Sequence, residues 1–144
     1  MQYFASILEM SVADFHESTA VNLVAPFAFT RAVLPEMVER GAGTIVNVAS
    51  DLAYRVQADA SAYCATKHGL VALSEVSQLE HRADGVRVTL VQPGWIATGN
   101  DAQVRQEKGH MPAQEVANAV VWCCQRPSSV RVDTLTIHPM VQDS

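Results

Sequence analysis

The sequence has little positive charge. Its 144 residues carry 10 Lys and Arg against 15 Asp and Glu, a formal net charge of −5, and the basic residues form no stripe along any segment. Nucleic acids and anionic membranes attract clustered positive charge, so neither is a predicted partner. Charged residues make up 17% and apolar residues 49%, which is the ordinary balance of a globular chain with a buried core.

Long apolar runs and paired cysteines are also missing. No uninterrupted apolar run approaches the roughly 18 residues of a membrane span, and no charged-then-apolar leader opens the chain. The three cysteines, Cys64, Cys123 and Cys124, form no C-x-x-C pair, and the adjacent two are poor candidates for a mutual disulfide. These absences predict a cytoplasmic protein with free thiols.

Several catalytic and metal-binding patterns do not occur. The five histidines show no pair at metal-ligand spacing, so no metal site is predicted. A Gly-x-Ser-x-Gly elbow, the sequence mark of many hydrolases, is absent. Gly41 and Gly43 follow a helix and precede a strand, the reverse of a dinucleotide-binding loop, so they are predicted to end the helix and turn the chain. No repeat or low-complexity linker divides the chain, and residues 1–144 are predicted to form one domain.

The sequence does contain a group of polar residues between Ser50 and Lys67. The apolar run 44–49 predicts a buried strand, and Ser50 follows it directly. Tyr63 and Lys67 are four residues apart, so a helix places their side chains on one face. A lysine ammonium beside a phenol favours the phenolate, which suits a tyrosine for proton transfer. The Tyr–Lys pattern alone is more often a surface pair on a helix; the spacing of the serine and the strand–helix context favour an active site instead.

Helices and strands alternate along the predicted chain. Three helices begin after Ser11, near 61 and at Pro112, and end near Arg40, Arg82 and Gln125; the strands are 44–49, 86–91 and 130–137, and 99–111 is polar and irregular. Pro26 and Pro35 lie within the first helix, so a kink or local break is expected there.

Alternation of this kind predicts an α/β fold with a parallel sheet and right-handed crossovers. Parallel strands point the same way, so strands 44–49 and 86–91 end at one edge of the sheet. Ser50, the helix that carries Tyr63, and Pro93-Gly94 are therefore expected to converge at the edge where open α/β sheets bind ligands.

The segment around these residues resembles the catalytic region of the short-chain dehydrogenases/reductases. That family carries Tyr-x-x-x-Lys with a serine 13 positions before the tyrosine, and the matching residues here are Tyr63, Lys67 and Ser50. Asn22, in Val21-Asn22-Leu23, stands where the family has its fourth catalytic residue. The resemblance extends from about Ile7 to Gln142.

A second motif supports the resemblance. Pro93-Gly94-Trp95-Ile96-Ala97-Thr98 is similar to the family's Pro-Gly-x-x-x-Thr. The resemblance implies that this chain binds NAD or NADP through Tyr63, Lys67, Pro93, Gly94, Ile96 and Thr98. The backbone near Ile96 and the hydroxyl of Thr98 would hold the nicotinamide carboxamide, and Lys67 would hold the ribose hydroxyls.

The implied reaction is hydride transfer between a nicotinamide ring and the carbonyl or alcohol carbon of a small molecule. Tyr63 would be the general acid/base, and Ser50 would hydrogen-bond the substrate oxygen on which charge develops. Asn22 would hold a water that links Lys67 to solvent. Without the resemblance, an asparagine in a helix carries no such meaning.

Only the C-terminal half of the family's domain is represented. The Thr-Gly-x-x-x-Gly-x-Gly turn, the Asn-Asn-Ala-Gly run and the residue that separates NAD from NADP have no counterpart here. The expected fold is therefore a partial doubly wound, Rossmann-like parallel sheet of about three strands, without the first half. The exposed edge of strand 44–49 and the uncovered helices favour a homo-oligomer.

Two functions remain open at this point. The intact Ser50, Tyr63, Lys67 and Asn22 favour an NAD(P)-dependent oxidoreductase. The missing nucleotide-binding half favours a non-catalytic fragment or remnant that acts as an interaction or oligomerisation module. The sequence names neither the substrate nor the cofactor form.

Overall fold

A computed structural model describes residues 3–142. Helices and strands alternate as predicted. The helices are α1 (Val12–Thr19), α2 (Ala25–Arg40), α3 (Ser61–His81), α4 (Ala102–Glu107) and α5 (Ala113–Cys124), and the strands are β1 (Gly43–Val48), β2 (Val86–Pro93), β3 (Ile96–Ala97), β4 (Met111–Pro112) and β5 (Thr134–Ile137). The structure is an α/β fold, which confirms the predicted class.

The first helical segment begins at the predicted N-cap and contains a local break. The Ser11 hydroxyl accepts a hydrogen bond from the Asp14 backbone N–H at 3.0 Å. Between α1 and α2, residues Ala20–Val24 form a wider π-helical turn, in which the Ala25 N–H reaches the Ala20 carbonyl five residues back. Pro26 has no N–H and cannot donate to the Asn22 carbonyl, so the widened turn lies just before it. Pro35 lies inside α2.

Three parallel strands form the main sheet in the order β1-β2-β5. Val48 pairs with Val91, and Pro93 pairs with Ile137, so the carboxyl ends of the strands lie side by side. Strand β2 is central and almost fully buried, because helices cover it and strands flank it on both sides. This arrangement confirms the partial Rossmann-like sheet of about three strands.

Two glycines shape the turns at the far end of the sheet. Gly41 ends α2 with a left-handed backbone (φ 66°), as its position in the sequence predicted. Gly85 precedes β2 with φ 78°, and a Cβ at this position would overlap the Gly41 carbonyl oxygen. The close approach of the two turns therefore requires glycine at 85.

The structure differs from two of the segment predictions. The last strand covers Thr134–Ile137 rather than 130–137. The missing part is bonded by side chains: the Arg87 guanidinium donates to the Val130 carbonyl at 3.1 Å, and the Thr89 hydroxyl donates to the Val132 carbonyl at 2.7 Å.

The stretch 99–111, predicted to be irregular, contains helix α4. Strand β4 also begins within it, at Met111, and pairs with β3 in a parallel two-stranded sheet. The pairing of β3 with β4 could not be predicted, because each strand has only two residues and a long connection separates them. The following helix, α5, begins at Ala113, with Pro112 at its N-cap position.

Helices α1 and α2 leave much of their apolar surface exposed. Val12–Arg40, 29 residues, is long and apolar enough to cross a membrane by length and composition, although only 11% of its most apolar window is buried. This segment was not predicted from the sequence, because polar residues interrupt its apolar residues. Core helices of soluble proteins meet the same two criteria, so the finding does not by itself indicate a membrane protein.

Candidate active site

The strand end of β1 holds Ser50 in a fixed position. Its hydroxyl accepts a hydrogen bond from the Leu52 N–H at 3.2 Å and donates to Asp51 Oδ1 at 3.0 Å. Both Ser50 and Asp51 are buried, and Ser50 caps the short helical turn Asp51–Ala53. The serine therefore stands at the edge of the sheet with its rotamer set by two partners.

Tyr63 and Lys67 lie one turn apart on α3, as their spacing predicted. The Lys67 ammonium lies 5.5 Å from the centre of the Tyr63 ring. Lys67 Nζ also donates to the Val48 carbonyl at 3.1 Å, which joins α3 to the end of β1. Burial lowers the pKa of Lys67 from its usual 10.5 to about 8, because removing an ammonium from water disfavours the charged form.

Asn22 lies next to this pair rather than in the cavity beside it. It is buried in the π-helical turn, and its amide donates to Ser18 Oγ at 3.2 Å and to Thr66 Oγ1 at 3.3 Å. Thr66 precedes Lys67, so the structure brings Asn22 to the back of the Tyr–Lys helix. It is not among the residues that line the cavity.

The turn after β2 closes the site on its other side. The Gly94 N–H donates to the Ile137 carbonyl at 2.9 Å, and the Trp95 N–H donates to Gln142 Oε1 at 2.7 Å. The Trp95 indole stacks on the His110 ring with centroids 5.3 Å apart. Strand β3 then carries Ile96, and Thr98 follows it.

These groups surround one cavity of about 470 Å³. Of the predicted site residues, its lining contains Ser50, Tyr63, Lys67, Pro93, Gly94, Ile96 and Thr98. The structure therefore brings together every predicted position except Asn22. Larger and smaller grooves elsewhere contain none of these residues.

Sequence reasoning missed several charged and aromatic lining residues. They are Phe4, Asp51, Arg55, Arg105 and His110. Asp51 follows Ser50 directly, and this adjacency was the one available signal. Arg105 and His110 were hidden in the segment that was predicted to be irregular.

The cavity suits one end of a dinucleotide. A phenol, an ammonium, the Thr98 hydroxyl and backbone groups near Ile96 are donors and acceptors of the kind that hold a ribose and a carboxamide. No glycine-rich phosphate loop occurs in the 144 residues, so the chain offers nothing of that kind for the pyrophosphate. Among the described residues, no group of three His, Cys, Asp or Glu could hold a metal ion.

Sequence comparison finds dehydrogenases among the relatives of this chain. The family model for short chain dehydrogenase matches residues 1–109. D-beta-hydroxybutyrate dehydrogenase from Cupriavidus necator is 32% identical over 124 residues, which are 84% of this chain and 48% of the relative. The 2-dehydro-3-deoxy-D-gluconate 5-dehydrogenase from Formosa agariphila is 36% identical over 104 residues, 72% of this chain and 39% of the relative. The chain thus spans about half the length or less of these relatives.

Solved structures with the same fold cover almost the entire chain. Serine dehydrogenase complexed with NADP+ superposes with a TM-score of 0.90 at 27% identity, over 99% of this chain and 62% of that one. An alcohol dehydrogenase from Thermococcus sibiricus complexed with 5-hydroxy-NADP gives a TM-score of 0.89 at 29% identity, over 100% and 61%. With residues 1–109 of its 144 inside the family match, the chain belongs to the short-chain dehydrogenase family.

Proposed function

We propose that this chain forms the catalytic part of an NAD(P)-dependent oxidoreductase that acts on the carbonyl or alcohol carbon of a small molecule. The observation that carries the proposal is the meeting of Ser50, Tyr63 and Lys67 at one cavity, beside the turn from Pro93 to Thr98. Both similar structures described above hold NADP forms, which supports a nicotinamide cofactor. The residue that separates NAD from NADP has no counterpart in these 144 residues, so the proposal covers either form.

The nicotinamide, when bound, supplies or accepts the hydride. In the reducing direction Tyr63 gives its phenolic proton to the substrate oxygen, and in the oxidising direction it takes that proton back. Ser50 donates a hydrogen bond to the same oxygen, where negative charge develops. The cavity position of both hydroxyl groups supports these roles.

Lys67 serves Tyr63 and the cofactor together. Its ammonium lies 5.5 Å from the centre of the Tyr63 ring, which places a positive charge beside the phenol. A lysine with a pKa of about 8 can also exchange protons near neutral pH. Asn22, bonded to the neighbouring Thr66, holds the water that connects Lys67 to solvent.

The cofactor is held at its nicotinamide end. Thr98 and the backbone near Ile96 bind the carboxamide, while Tyr63 and Lys67 bind the ribose. Pro93 and Gly94 set the course of the backbone beneath them. The location of all six residues, including these two, in the cavity lining supports this assignment.

The charges of the cavity favour an acidic substrate. Arg55, Lys67 and Arg105 line it, and Asp51 is the one carboxylate among the lining residues. Arg55 pairs with Asp51 at 4.0 Å and Arg105 with Asp101 at 2.7 Å, so the ammonium of Lys67 is the lining cation without a carboxylate of the described residues within 4 Å. Hydroxybutyrate and 2-dehydro-3-deoxy-D-gluconate, from which two relatives take their names, are both carboxylates. We therefore assign a small hydroxy or oxo acid as the substrate class.

The test is a coupled consumption assay on the protein expressed from its entire reading frame. NADH and NADPH are offered with a panel of oxo acids and the matching uncharged ketones. We expect stoichiometric loss of one reduced cofactor with an oxo acid. If cofactor binds and no member of the panel is reduced, the oxidoreductase assignment is wrong; preference for the uncharged ketones would remove only the acid assignment.

A second function has one specific observation in its favour. Phe29 on α2 is 74% exposed, and Leu79 on α3 is 63% exposed. Apolar surface of this kind is typical of a docking face. A non-catalytic interaction or oligomerisation module would use this face and leave the cavity idle, which the same assay distinguishes.

A further inference from the structure

We infer that Asp51 and Gln142 are positioning residues, which lock the end of β1 to the turn after β2 and so hold Ser50 and Gly94 in one geometry. The inference rests on the proposed function for the meaning of Ser50. It makes the C-terminal segment, through Gln142, a working part of the site.

Asp51 is a buried carboxylate with both oxygens engaged. Its Oδ1 accepts the Ser50 hydroxyl at 3.0 Å, and its Oδ2 accepts the Gln142 amide N–H at 2.7 Å. The Arg55 guanidinium lies 4.0 Å from the same Oδ2. A buried charge is tolerated only with such partners, and hydrogen bonds to a carboxylate are stronger than neutral ones. Asp51 therefore fixes where the Ser50 proton points.

Gln142 completes the link with the other end of its amide. Its Oε1 accepts the Trp95 N–H at 2.7 Å, so one side chain bridges the residue after Ser50 and the residue after Gly94. Gln142 is buried and does not line the cavity. A Cβ at Gly94 would overlap Gln142 Oε1 and His138 Cδ2, which explains why this side chain needs a glycine beneath it.

Two further hydrogen bonds connect the same three segments. The Tyr54 hydroxyl and His138 Nε2 lie 3.0 Å apart, joining the turn after Ser50 to the C-terminal segment. The Gly94 N–H donates to the Ile137 carbonyl at 2.9 Å. The bridge is thus built on several independent contacts rather than on one side chain.

Asp51 and the substrate oxygen compete for the hydrogen bond that the Ser50 hydroxyl donates. In the resting chain the Ser50 hydroxyl donates to Asp51, and a substrate oxygen must take over that hydrogen bond. A serine held by Asp51 has a single starting rotamer and pays little ordering entropy when the substrate arrives. Gln142 acts through Asp51 and Trp95, so it positions the groups of the site without touching the substrate.

The first experiment measures amide hydrogen exchange by NMR in this chain. Gln142→Leu removes the acceptor of the Trp95 N–H, and we expect its exchange to accelerate about tenfold or more. The matched control is Gln78→Leu, because Gln78 Oε1 accepts the Val88 N–H at the same 2.7 Å, away from the cavity. The control should accelerate Val88 and leave Trp95 unchanged. Unchanged exchange of Trp95 in Gln142→Leu overturns the bridge.

The second experiment exchanges the two partners. Gln142→Glu sets two carboxylates against each other, and Asp51→Asn deprives either Ser50 or Gln142 of its partner. In the double variant Asp51→Asn/Gln142→Glu, the asparagine amide donates to the glutamate, which still accepts from Trp95. We expect each single variant to accelerate Trp95 exchange and the double variant to return near the wild-type rate.

Rescue by the exchanged pair separates positioning from a general loss of stability. If the two substitutions only destabilised the fold, their free-energy costs would add in the double variant and would not cancel. If the acceleration in the double variant equals the product of the accelerations in the two singles, Asp51 and Gln142 do not act as a pair. Neither measurement needs turnover or bound cofactor. The bridge can therefore be disproved while the oxidoreductase assignment stands. It can also be confirmed while that assignment fails.

Discussion

At the scale of single residues, spacing carried most of the information. Tyr63 and Lys67 were predicted to share a helix face because they are four apart, and the structure puts the ammonium 5.5 Å from the ring centre. Ser50 was predicted beside them because it ends a strand. The pairing of Asp51 with Gln142 could not be predicted, because it joins residues 91 positions apart. Arg105 was missed because helix α4, on which it pairs with Asp101, was not predicted.

Removing the Tyr63 hydroxyl tests the proposed proton donor. Tyr63→Phe keeps the ring and deletes the proton, so we expect turnover to fall at least ~100-fold, the low end for general acid–base catalysis. The measurement compares the steady-state turnover of Tyr63→Phe with that of the wild type, on protein that is active. Tyr3→Phe is the control, since that hydroxyl meets only the exposed Glu17. A Tyr63→Phe rate near wild type would exclude Tyr63 from the mechanism.

Burial of Lys67 predicts a pH dependence of stability. Its pKa is about 8 in the folded chain and 10.5 when exposed, so between these values the unfolded state binds more protons. Stability of the wild type should therefore rise relative to Lys67→Met as the pH goes from about 8 to 10.5, and stay level below 8. Denaturant unfolding at several pH values measures the difference, and a difference independent of pH would contradict the shifted pKa.

At the scale of elements, apolar periodicity predicted long segments well and short ones poorly. Strand β2 was found because its buried run is continuous, and α3 because its apolar positions recur over several turns. Strand β5 was predicted too long, since the sequence does not show that Arg87 and Thr89 bond its first part. The π-helical turn Ala20–Val24 lies just before Pro26, in the helix for which a kink or local break was predicted.

Gly41 and Gly85, the left-handed glycines at the far end of the sheet, provide a matched test of the turns there. Gly41→Ala introduces a Cβ into open space, so its cost is the backbone strain alone, about 1–2 kcal/mol. Gly85→Ala adds a clash with the Gly41 carbonyl, and overpacking typically costs a further ~1–3 kcal/mol. We expect the second variant to lose clearly more free energy of unfolding. Equal losses in denaturant unfolding would show that the two turns do not pack against each other.

At the scale of the whole molecule, the sequence predicted both the fold class and its incompleteness. The three predicted strands form one parallel sheet, and among the described residues β1 pairs with β2 alone. The open edge of β1 and the exposed helices were expected, because the 144 residues contain no counterpart of the first half of the family's domain.

The exposed helices predict self-association. A groove of about 510 Å³ between α2 and α3 is lined mostly by apolar side chains, including Phe27, Leu34 and Val76. We expect a homo-oligomer at micromolar concentration, measured by light scattering. Val76→Glu should weaken it, whereas Val121→Glu, at a similarly exposed position on α5 (52% against 50%), should not. A sharp monomer peak for the wild type would contradict the prediction.

The last prediction concerns how tightly the chain alone can hold a dinucleotide. Its cavity is lined by Lys67, Ile96 and Thr98, which are proposed to contact the ribose and the nicotinamide, while the sequence has no glycine-rich turn for the pyrophosphate. Each missing charge-assisted hydrogen bond is worth about 1.5–3 kcal/mol, and about 1.4 kcal/mol is tenfold in affinity. The loss of two such bonds weakens binding by roughly a hundredfold or more.

We therefore expect the 144-residue chain to bind NADH or NADPH no better than about millimolar and to show no turnover by itself. Calorimetric titration with each cofactor measures this, and Lys67→Met is the matched variant because it removes the ammonium that is proposed to bind the ribose. Micromolar binding that Lys67→Met abolishes would mean that a second copy or another surface of the chain supplies the grip on the pyrophosphate. Micromolar binding that Lys67→Met leaves intact would place the dinucleotide outside the cavity and remove the basis for the cofactor assignment.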